Sequence, residues 1–444
     1  MKQLHHVIFT FLVSSLLISC SFPGPSIKNQ ESYAPCLYTK ASYTPKDLQW
    51  LNEKIIPYNI STLSEKGLPI KELVYAEITG LGESTHGSHE IYETKIEFTK
   101  YLIQDLDYRI VAIEIPYPYI SKLNEYIYGN GDELEHILRH TGAWIIHTDE
   151  MFNFIQWLKG YNTHVSDNNK VTIIGFDIPI DDAQSGIDTM TNYLGKVDTE
   201  ISNKLINQLA CIAIEPFLYR QLSTVEKEGC RAGINDLINT LEENRATYIS
   251  LSSLDQFELA VFQANLLLQH EEFLNSSDEV AYSHRDRFMK ENVVWIHNVL
   301  GRNEKKIVLW AHNAHIGRNT YGKTNSGTMG FLLNDYFGDK YFPIGSTFWE
   351  GEFNAIPLTT SHKADSPPAD SYEAFFHSAN TTLFFIQINQ ISTPKWFAEN
   401  HCLRSIGAIY DLNKPEYGWD VDKLSGEYDG FFFVNTSSPT SFLE

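Results

Sequence analysis

The sequence predicts a three-layer α/β fold, in which a mainly parallel sheet is covered by helices on both faces. Four apolar strands are expected at 74–81, 109–116, 170–177 and 306–312, and stretches with helical spacing separate them. Such long connections are what parallel neighbours require. The strands are continuously apolar instead of alternating, which is typical of a sheet buried on both faces.

The first 19 residues are predicted to be a targeting segment. Lys2 gives a positive start, and the apolar run 7–18 is too short to span a bilayer as a helix. Residues 17–20, Leu-Ile-Ser-Cys, resemble a bacterial lipoprotein processing site. The resemblance implies cleavage before Cys20, acylation of that cysteine, and a lipid anchor in the cell envelope on the periplasmic or surface side of a membrane. An ordinary secretory signal with an incidental cysteine is the alternative.

The rest of the chain divides into a tether and one folded domain. Residues 20–45 are rich in Ser, Pro and Tyr without periodicity, which predicts an irregular tether. Residues 46–444 are expected to form one α/β domain. Within it, residues 188–300 contain no strand pattern and four or more helical stretches, so a helical block is predicted as an insertion.

Further elements are predicted along this domain in chain order. They are helices at 47–55 and 90–106, two or three helices up to 159, helices at 283–300 and 328–338, and strands at 341–348, 382–388 and 430–434.

Composition limits the possible partners. The formal net charge of −22 argues against nucleic acid or anionic lipid. Cys36, Cys211, Cys230 and Cys402 are widely spaced, and the absence of a C-x-x-C sequence excludes a zinc ribbon or thioredoxin motif. An exported compartment permits disulfides, and Cys211–Cys230 is a conceivable pair, although idle thiols are equally compatible with the sequence.

Polar side chains stand at the ends of the four best strands. In chain order they are Glu83 and His86, Glu114, Asp177, and His312 with His315. In a parallel sheet these ends lie on one edge, where α/β folds place their active sites. One polar residue at a strand end is commonly a helix cap. Four such ends, two of them with histidines, predict a shared cleft.

The chemistry of these residues suggests roles for some of them. His86 and Glu83 are a possible general base and the group that orients it. Glu114 lies in an apolar strand and therefore needs a histidine or arginine partner. Asp177 is either a helix cap or part of the site. In the charged triplet 285–287, one arginine reaching into the cleft is expected to pair with Glu114 or to stabilise an oxyanion, unless the triplet is solvated surface.

Other catalytic classes have weaker support. His86, His89, His312 and His315 with two glutamates offer a zinc set, but no H-E-x-x-H motif is present. No G-x-S-x-G, Walker A or G-x-G-x-x-G sequence appears, and Ser84 in such a loop is more often a cap than a nucleophile. Metal-free hydrolysis by a histidine-activated water is the remaining arrangement, and it needs no cofactor.

Several pieces together resemble the erythromycin esterase family. They are the stretches 82–87, 112–114, 175–177, 285–292 and 310–315, with Lys95 nine residues after His86. The resemblance implies a metal-independent hydrolase that opens the lactone ester of macrolides and a cleft with the helical block as one wall.

The resemblance also implies roles for individual residues. His86 matches the general base and Glu83 its acidic partner, while Glu114, His312, His315 and Arg287 match polar residues of the cleft. Lys95, which stands where some members carry arginine, and Asp177 are expected to bind substrate. The alternatives are a metal-dependent hydrolase of another bulky ester and a non-enzymatic envelope protein that binds an apolar ligand.

Overall fold

The computed structural model describes residues 36, 40–131, 133–180, 183–321, 326–388 and 393–443. The predicted signal segment, Cys20 and most of the predicted tether lie outside these residues. Across the described ranges, the longest and most apolar helices fall short of what a membrane span requires.

Thirteen strands are assigned in the described part of the chain. They are β1 (Ile56–Pro57), β2 (Ile78–Glu83), β3 (Tyr108–Pro116), β4 (Thr172–Asp177), β5 (Lys306–His312), β6 (Thr320–Tyr321), β7 (Ser326–Gly327), β8 (Tyr341–Phe353), β9 (His362–Lys363), β10 (Leu383–Gln387), β11 (His401–Arg404), β12 (Trp419–Asp422) and β13 (Gly430–Ser437).

Nine of these strands form one sheet with the order β1-β10-β13-β8-β2-β5-β3-β4, and β9 pairs with β8. The six strands from β13 to β4 are mutually parallel. β1 and β10 add an antiparallel edge. The predicted mainly parallel α/β sheet is therefore confirmed, and the carboxyl ends of β2, β3, β4 and β5 meet at one edge.

Helices connect these strands. They are α1 (Pro45–Lys54), α2 (Ile60–Lys66), α3 (His89–Asp105), α4 (Tyr117–Ile127), α5 (Leu134–Arg139), α6 (Asp149–Thr163), α7 (Ala183–Val197), α8 (Thr199–Leu209), α9 (Pro216–Arg220), α10 (Thr224–Glu243), α11 (Arg245–Leu251), α12 (Leu254–Asn275), α13 (Asp278–Trp295), α14 (Asn313–Ile316), α15 (Met329–Phe337) and α16 (Tyr372–His377).

Three hydrophobic clusters account for the layers. On one face of the sheet, α3, α4 and α6 bury their apolar sides against the strands. On the other face, α13, α15 and α16 do the same. The helical block has a core of its own, built from α7, α8, α10 and α12. Phe262 of α12 belongs to the sheet cluster and joins the block to the domain.

Two predicted boundaries shift for identifiable reasons. The first strand begins at Ile78 instead of Val74, because Val74 ends a short 3₁₀ turn and is half exposed. The helix expected at 283–300 begins five residues earlier, at Asp278, and its last turn, Ile296–Leu300, is π-helical.

Two disulfides are present. Cys211–Cys230 joins α10 to the segment after α8, as the sequence allowed. Cys36–Cys402 joins the N-terminal segment to β11. Sequence patterns missed both this second pairing and the β11–β12 hairpin that carries Cys402.

Candidate active site

The loop 84–88 between β2 and α3 lies at the centre of the site. Gly82 and Gly87 are required by close packing, since a Cβ at Gly87 would lie 2.1 Å from the Asn354 carbonyl oxygen and one at Gly82 2.3 Å from Asn313 Oδ1. Ser88 caps α3. The conformation of this loop is therefore fixed by its neighbours on both sides.

His86 and Glu83 form a buried pair. The Nδ1 atom of His86 lies 2.8 Å from Glu83 Oε1, to which it donates. The second oxygen of Glu83 is in ion-pair contact with the Lys95 ammonium group. Lys95 also lies over the Trp310 ring, 4.8 Å from its centroid. Glu83 is thus held between a histidine and a lysine.

Lys95 does not occupy the position that was expected for a substrate-binding residue. Its side chain is only 3% exposed and its charge is directed at Glu83. Burial lowers the pKa of Lys95 well below its ordinary value, while Glu114 opposes this shift. The structure therefore makes Lys95 a support for Glu83, beneath the surface of the site.

Glu114 has the partners that its burial requires. Its Oε1 accepts a hydrogen bond from Arg285 Nη2 at 2.7 Å, and its Oε2 accepts one from the His312 backbone amide at 2.8 Å. Burial favours the neutral acid, but the charges of His315 and Arg285 outweigh it, so the pKa of Glu114 lies far below its ordinary value. Glu114 is a carboxylate at neutral pH.

Arg285 is the arginine that enters the site. There it joins a buried polar cluster, whose other members are Glu83, His86, Glu114, Asp177, His312 and His315. Its Nε donates to Asp177 Oδ1 at 3.0 Å, and its Nη2 donates to both Asp177 Oδ2 and Glu114 Oε1. Its Nη1 lies 3.0 Å from His315 Nε2. Asp177 therefore belongs to the cluster, but both of its oxygens bind Arg285.

Arg287, which was expected in the cleft, lies on another face of α13. It pairs with Glu272 and Glu291, and its side chain is 41% exposed. Because an α-helix turns about 100° per residue, residues two apart point roughly 200° apart. In α13, Arg285 is buried and points inward, so Arg287 points outward. The predicted placement of Arg287 is wrong.

The two histidines after β5 are both buried and both have partners. The Nδ1 of His312 accepts from the Ala314 amide at 3.2 Å, and its Nε2 lies 3.4 Å from the Ser84 carbonyl oxygen. Burial lowers the pKa of His312 to about 3, so it is neutral. His315 uses Nδ1 toward Asp286 at 2.8 Å and Nε2 toward Arg285.

His89 stands apart from these residues. Its Nδ1 pairs with Glu150 at 2.6 Å, and its side chain is 42% exposed. Throughout the described ranges, no three His, Cys, Asp or Glu side chains are arranged as a metal-binding group. The four histidines considered for zinc are divided among separate partners.

Ser84 is poorly placed to be a nucleophile. It is fully buried, and its hydroxyl makes no hydrogen bond to any described residue. An activated serine needs a base within hydrogen-bond reach. The geometry favours water as the attacking group.

Besides the Ser84 hydroxyl, two polar groups of the site have no hydrogen-bond partner among the described residues. One is the Nε2 atom of His86, whose Nδ1 is bound to Glu83. The other is one Nη1 hydrogen of Arg285, since the remaining four hydrogens of its guanidinium are directed at Asp177, Glu114 and His315. A neutral base beside a fixed cationic donor can activate a water molecule and stabilise an oxyanion.

The charge state of His86 suits a base. Burial lowers the pKa of His86 below 6.5, while Glu114 raises it to a lesser extent. The ring is therefore neutral at physiological pH, and its Nε2 carries a lone pair. His86 and His312 lie close together, with their ring centroids 5.8 Å apart.

Residues near the far end of the sequence support the loop 84–88. The Ile406 amide donates to the Ser84 carbonyl at 2.7 Å, and the His86 amide donates to the Gly407 carbonyl at 3.3 Å. The Thr440 amide donates to the Gly87 carbonyl at 3.1 Å. Sequence reasoning missed these supports, because backbone contacts leave no signature in side-chain type.

A groove with a volume of about 550 Å³ separates α4 and α5 from α7 and α12 of the helical block. Tyr117, three residues after Glu114, lines one wall, and Leu259 and Ala260 of α12 line the other. The helical block thus faces α4 and α5 across an open groove, and the polar residues around His86 and Arg285 are not part of its lining.

The comparisons with known proteins agree with this fold. A model of the erythromycin esterase family matches residues 103–437, a range that begins after the loop 84–88. The Bacillus subtilis protein YbfO is 23% identical over 428 residues, covering 89% of this chain and 92% of YbfO. Erythromycin esterase type II of Escherichia coli is 23% identical over 336 residues, covering 69% of this chain and 78% of that protein.

Among solved structures, a mutant erythromycin esterase in its open conformation superposes with a TM-score of 0.64 at 19% identity. The match covers 86% of this chain and 98% of the other. At this level of identity the likeness shows a common fold.

Proposed function

Because the chain belongs to the erythromycin esterase family, we propose that it is a hydrolase that opens the lactone ester of macrolide antibiotics with a water molecule activated by His86. Membership of this family indicates a hydrolase, and the relative from Escherichia coli carries the macrolide in its name. The observation that carries the proposal is the His86 ring, which is neutral, oriented through Nδ1 by Glu83, and uncommitted at Nε2 toward the described residues.

The reaction follows from these positions. His86 Nε2 takes a proton from water while the water oxygen bonds to the acyl carbon, and the carbonyl electron pair moves to oxygen. The remaining Nη1 hydrogen of Arg285 is the available donor to that oxyanion. When the intermediate collapses, the acyl carbon–oxygen bond breaks and the protonated His86 returns its proton to the leaving alkoxide. A lactone yields one hydroxy acid.

The surrounding residues act through these two groups. Glu83 stabilises the imidazolium that forms on His86, and Lys95 contacts the other oxygen of Glu83 and holds the carboxyl group in place. Glu114 and Asp177 fix the plane of the Arg285 guanidinium through three of its nitrogen–oxygen contacts. A preorganised donor of this kind costs no reorganisation during the reaction.

Mass spectrometry tests the proposal directly. The protein is incubated with a panel of macrolides and simple carboxylic esters in H₂¹⁸O under single-turnover conditions. We expect a product heavier by one water, with the label in the new carboxylate. Label in the alcohol oxygen would mean attack at the alkyl carbon and would contradict the proposed step.

Two controls separate this mechanism from its alternatives. His86→Ala should abolish turnover, and a chelator should leave turnover unchanged. Loss of activity with chelator and recovery with zinc would indicate a metal-dependent hydrolase instead. Binding of a macrolide without turnover, unaffected by His86→Ala, would indicate a binding protein.

We also propose that the mature chain is anchored in the cell envelope through a lipid on Cys20. The two disulfides support an exported location, because disulfides persist mainly in oxidising compartments. Metabolic labelling with a radioactive fatty acid should mark the wild-type protein and not Cys20→Ala, which should move to the soluble fraction. A labelled Cys20→Ala chain would contradict the anchor.

A further inference from the structure

Asp286 is a buried carboxylate that the proposed reaction has not used. It follows Arg285 directly on α13 and is fully buried. Its Oδ1 accepts from His315 Nδ1 at 2.8 Å and from the Met329 amide at 3.0 Å. One oxygen therefore joins α13 to the histidine after β5 and to the start of α15.

We propose that Asp286 is a positioning residue, which holds the His315 proton on Nδ1 so that Nε2 can accept a hydrogen bond from Arg285 and orient the guanidinium for the oxyanion. This inference rests on the proposed function for its meaning in catalysis. It extends that function to a second acid–histidine pair, in which the histidine acts on an arginine and not on water.

The argument depends on which ring nitrogen of His315 carries hydrogen. A neutral imidazole has one N–H and one acceptor, and the partner of one nitrogen decides the role of the other. Asp286 accepts only, so the proton lies on Nδ1. Nε2 is then a lone pair 3.0 Å from Arg285 Nη1, which is a normal hydrogen bond.

The opposite tautomer would disrupt this arrangement. It would place an N–H on Nε2 against the N–H of Arg285 and leave a lone pair facing the Asp286 carboxylate. Arg285 would lose one of its hydrogen bonds, and both Nη1 hydrogens would then be without an acceptor among the described residues. Asp286 prevents this outcome without itself reaching the reacting atoms.

Protonation of His315 has a similar effect. Arg285 and Asp286 face His315 from α13, and Glu114 faces it from β3, with Oε1 3.4 Å from His315 Nε2. His312, the last residue of β5, has its ring centroid 6.5 Å from that of His315. His86 also interacts with it electrostatically. Burial lowers the pKa of His315, but Asp286 and Glu114 raise it further, so it lies above 6.5. Only the neutral form accepts from Arg285.

Two variants of Asp286 test the inference. Asp286→Asn keeps the size and one oxygen acceptor but removes the charge. The acid limb of the kcat profile should move to lower pH, because a neutral amide raises the pKa of His315 less than a carboxylate does. Asp286→Ala removes the acceptor, and kcat on a macrolide or simple ester should fall at least tenfold with little change in KM.

A spectroscopic measurement makes the test independent of turnover. In ¹⁵N-histidine-labelled protein, the His315 signals are assigned by their loss in His315→Gln. At a pH above the pKa of His315, the wild type should show a protonated Nδ1 and a bare Nε2. Asp286→Asn should keep that pattern with a lower pKa, and Asp286→Ala should mix the tautomers. Arg287→Gln, on the same helix but outside the cluster, should change neither signal.

The outcomes are distinct. An unchanged acid limb in Asp286→Asn, or an unchanged tautomer pattern in Asp286→Ala, would overturn the inference. If the wild type hydrolyses no ester, the proposed function is wrong. The tautomer and titration data still decide whether Asp286 holds the His315 proton on Nδ1. If Asp286→Ala does not fold, the titration of Asp286→Asn decides alone, since this variant preserves the side-chain shape.

Discussion

The site contains two acid–histidine pairs with the same Nδ1–carboxylate contact, which differ in whether the Nε2 atom of the histidine has a partner. Glu83 binds Nδ1 of His86 at 2.8 Å, and Asp286 binds Nδ1 of His315 at the same distance. The Nε2 of His86 has no partner among the described residues, whereas the Nε2 of His315 accepts from Arg285. The first pair therefore leaves one ring nitrogen without a partner, whereas both ring nitrogens of the second pair are bound within the protein.

This difference shows that pairing with a carboxylate does not by itself make a histidine a catalytic base. Both rings are buried, yet burial dominates at His86 and lowers its pKa, while two carboxylates dominate at His315 and raise its pKa. A base for water must be neutral and uncommitted. Only His86 meets both conditions within the described cluster.

Substitution of His86 should have the largest effect. In His86→Ala the proton acceptor for water is lost, and general-base contributions amount to roughly 10²–10⁴-fold in rate. The measurement is kcat on the best ester of the panel, with circular dichroism to show that the fold is intact. Near-normal turnover in this variant would show that His86 is not the base, and would contradict the different roles assigned to the two pairs.

Arg285→Lys should follow, with a loss of roughly 10²–10³-fold in kcat, the range for removal of an oxyanion donor. Lysine keeps the charge but cannot reproduce the planar fork that binds Asp177, Glu114 and His315 together. The loss should fall on kcat more than on KM. A selective rise in KM would instead assign Arg285 to substrate binding.

Glu83→Gln should cost less. A hydrogen bond to a charged group contributes about 1.5–3 kcal/mol, which corresponds to roughly 10–100-fold in rate. The amide can still accept from His86 Nδ1, but it no longer stabilises the imidazolium. Lys95→Met is the matched comparison, and its effect should be no larger, since Lys95 acts on His86 only through Glu83.

A pH titration should separate the two histidines even without substrate. His86 should titrate below pH 6.5, where its basic function is lost as the pH falls through its lowered pKa. His315 should titrate above pH 6.5. Two-dimensional NMR of labelled histidines measures both, and a reversed order would contradict the electrostatic contrast drawn between the pairs.

The smallest effect is expected at Arg287. Its partners Glu272 and Glu291 are surface residues, and exposed ion pairs contribute about 0–1 kcal/mol to stability. Arg287→Gln should therefore leave kcat within about twofold and the melting temperature nearly unchanged. A large loss of activity would restore the role that the family resemblance implied for this residue.

The sequence predicted the sheet and the side of it on which the polar residues meet. Continuous apolar strands identify a buried parallel sheet, and the polar residues at their ends then fall on one edge because all four strands run the same way. The need of Glu114 for a cationic partner was also predictable, because burial of a lone carboxylate is costly.

Other features depended on information that residue types do not carry. Arg285 and Arg287 lie in one charged triplet, and which of them points inward depends on the face of α13 that packs against the sheet, which the triplet does not reveal. Lys95 was expected to bind substrate, because the residues next to it in the sequence do not indicate its contacts with Glu83 and Trp310. The Cys36–Cys402 disulfide joins residues 366 positions apart, beyond any local pattern.

The support of the loop 84–88 by residues near the end of the sequence has a consequence for biosynthesis. Ser437 Oγ donates to Ser88 Oγ across 349 positions of sequence, and Thr440 contacts Gly87. A growing chain that already contains His86, Arg285 and His315 still lacks these contacts. We therefore expect the growing chain to be inactive. It should gain activity only after the residues from 437 onward have formed their contacts with the loop 84–88.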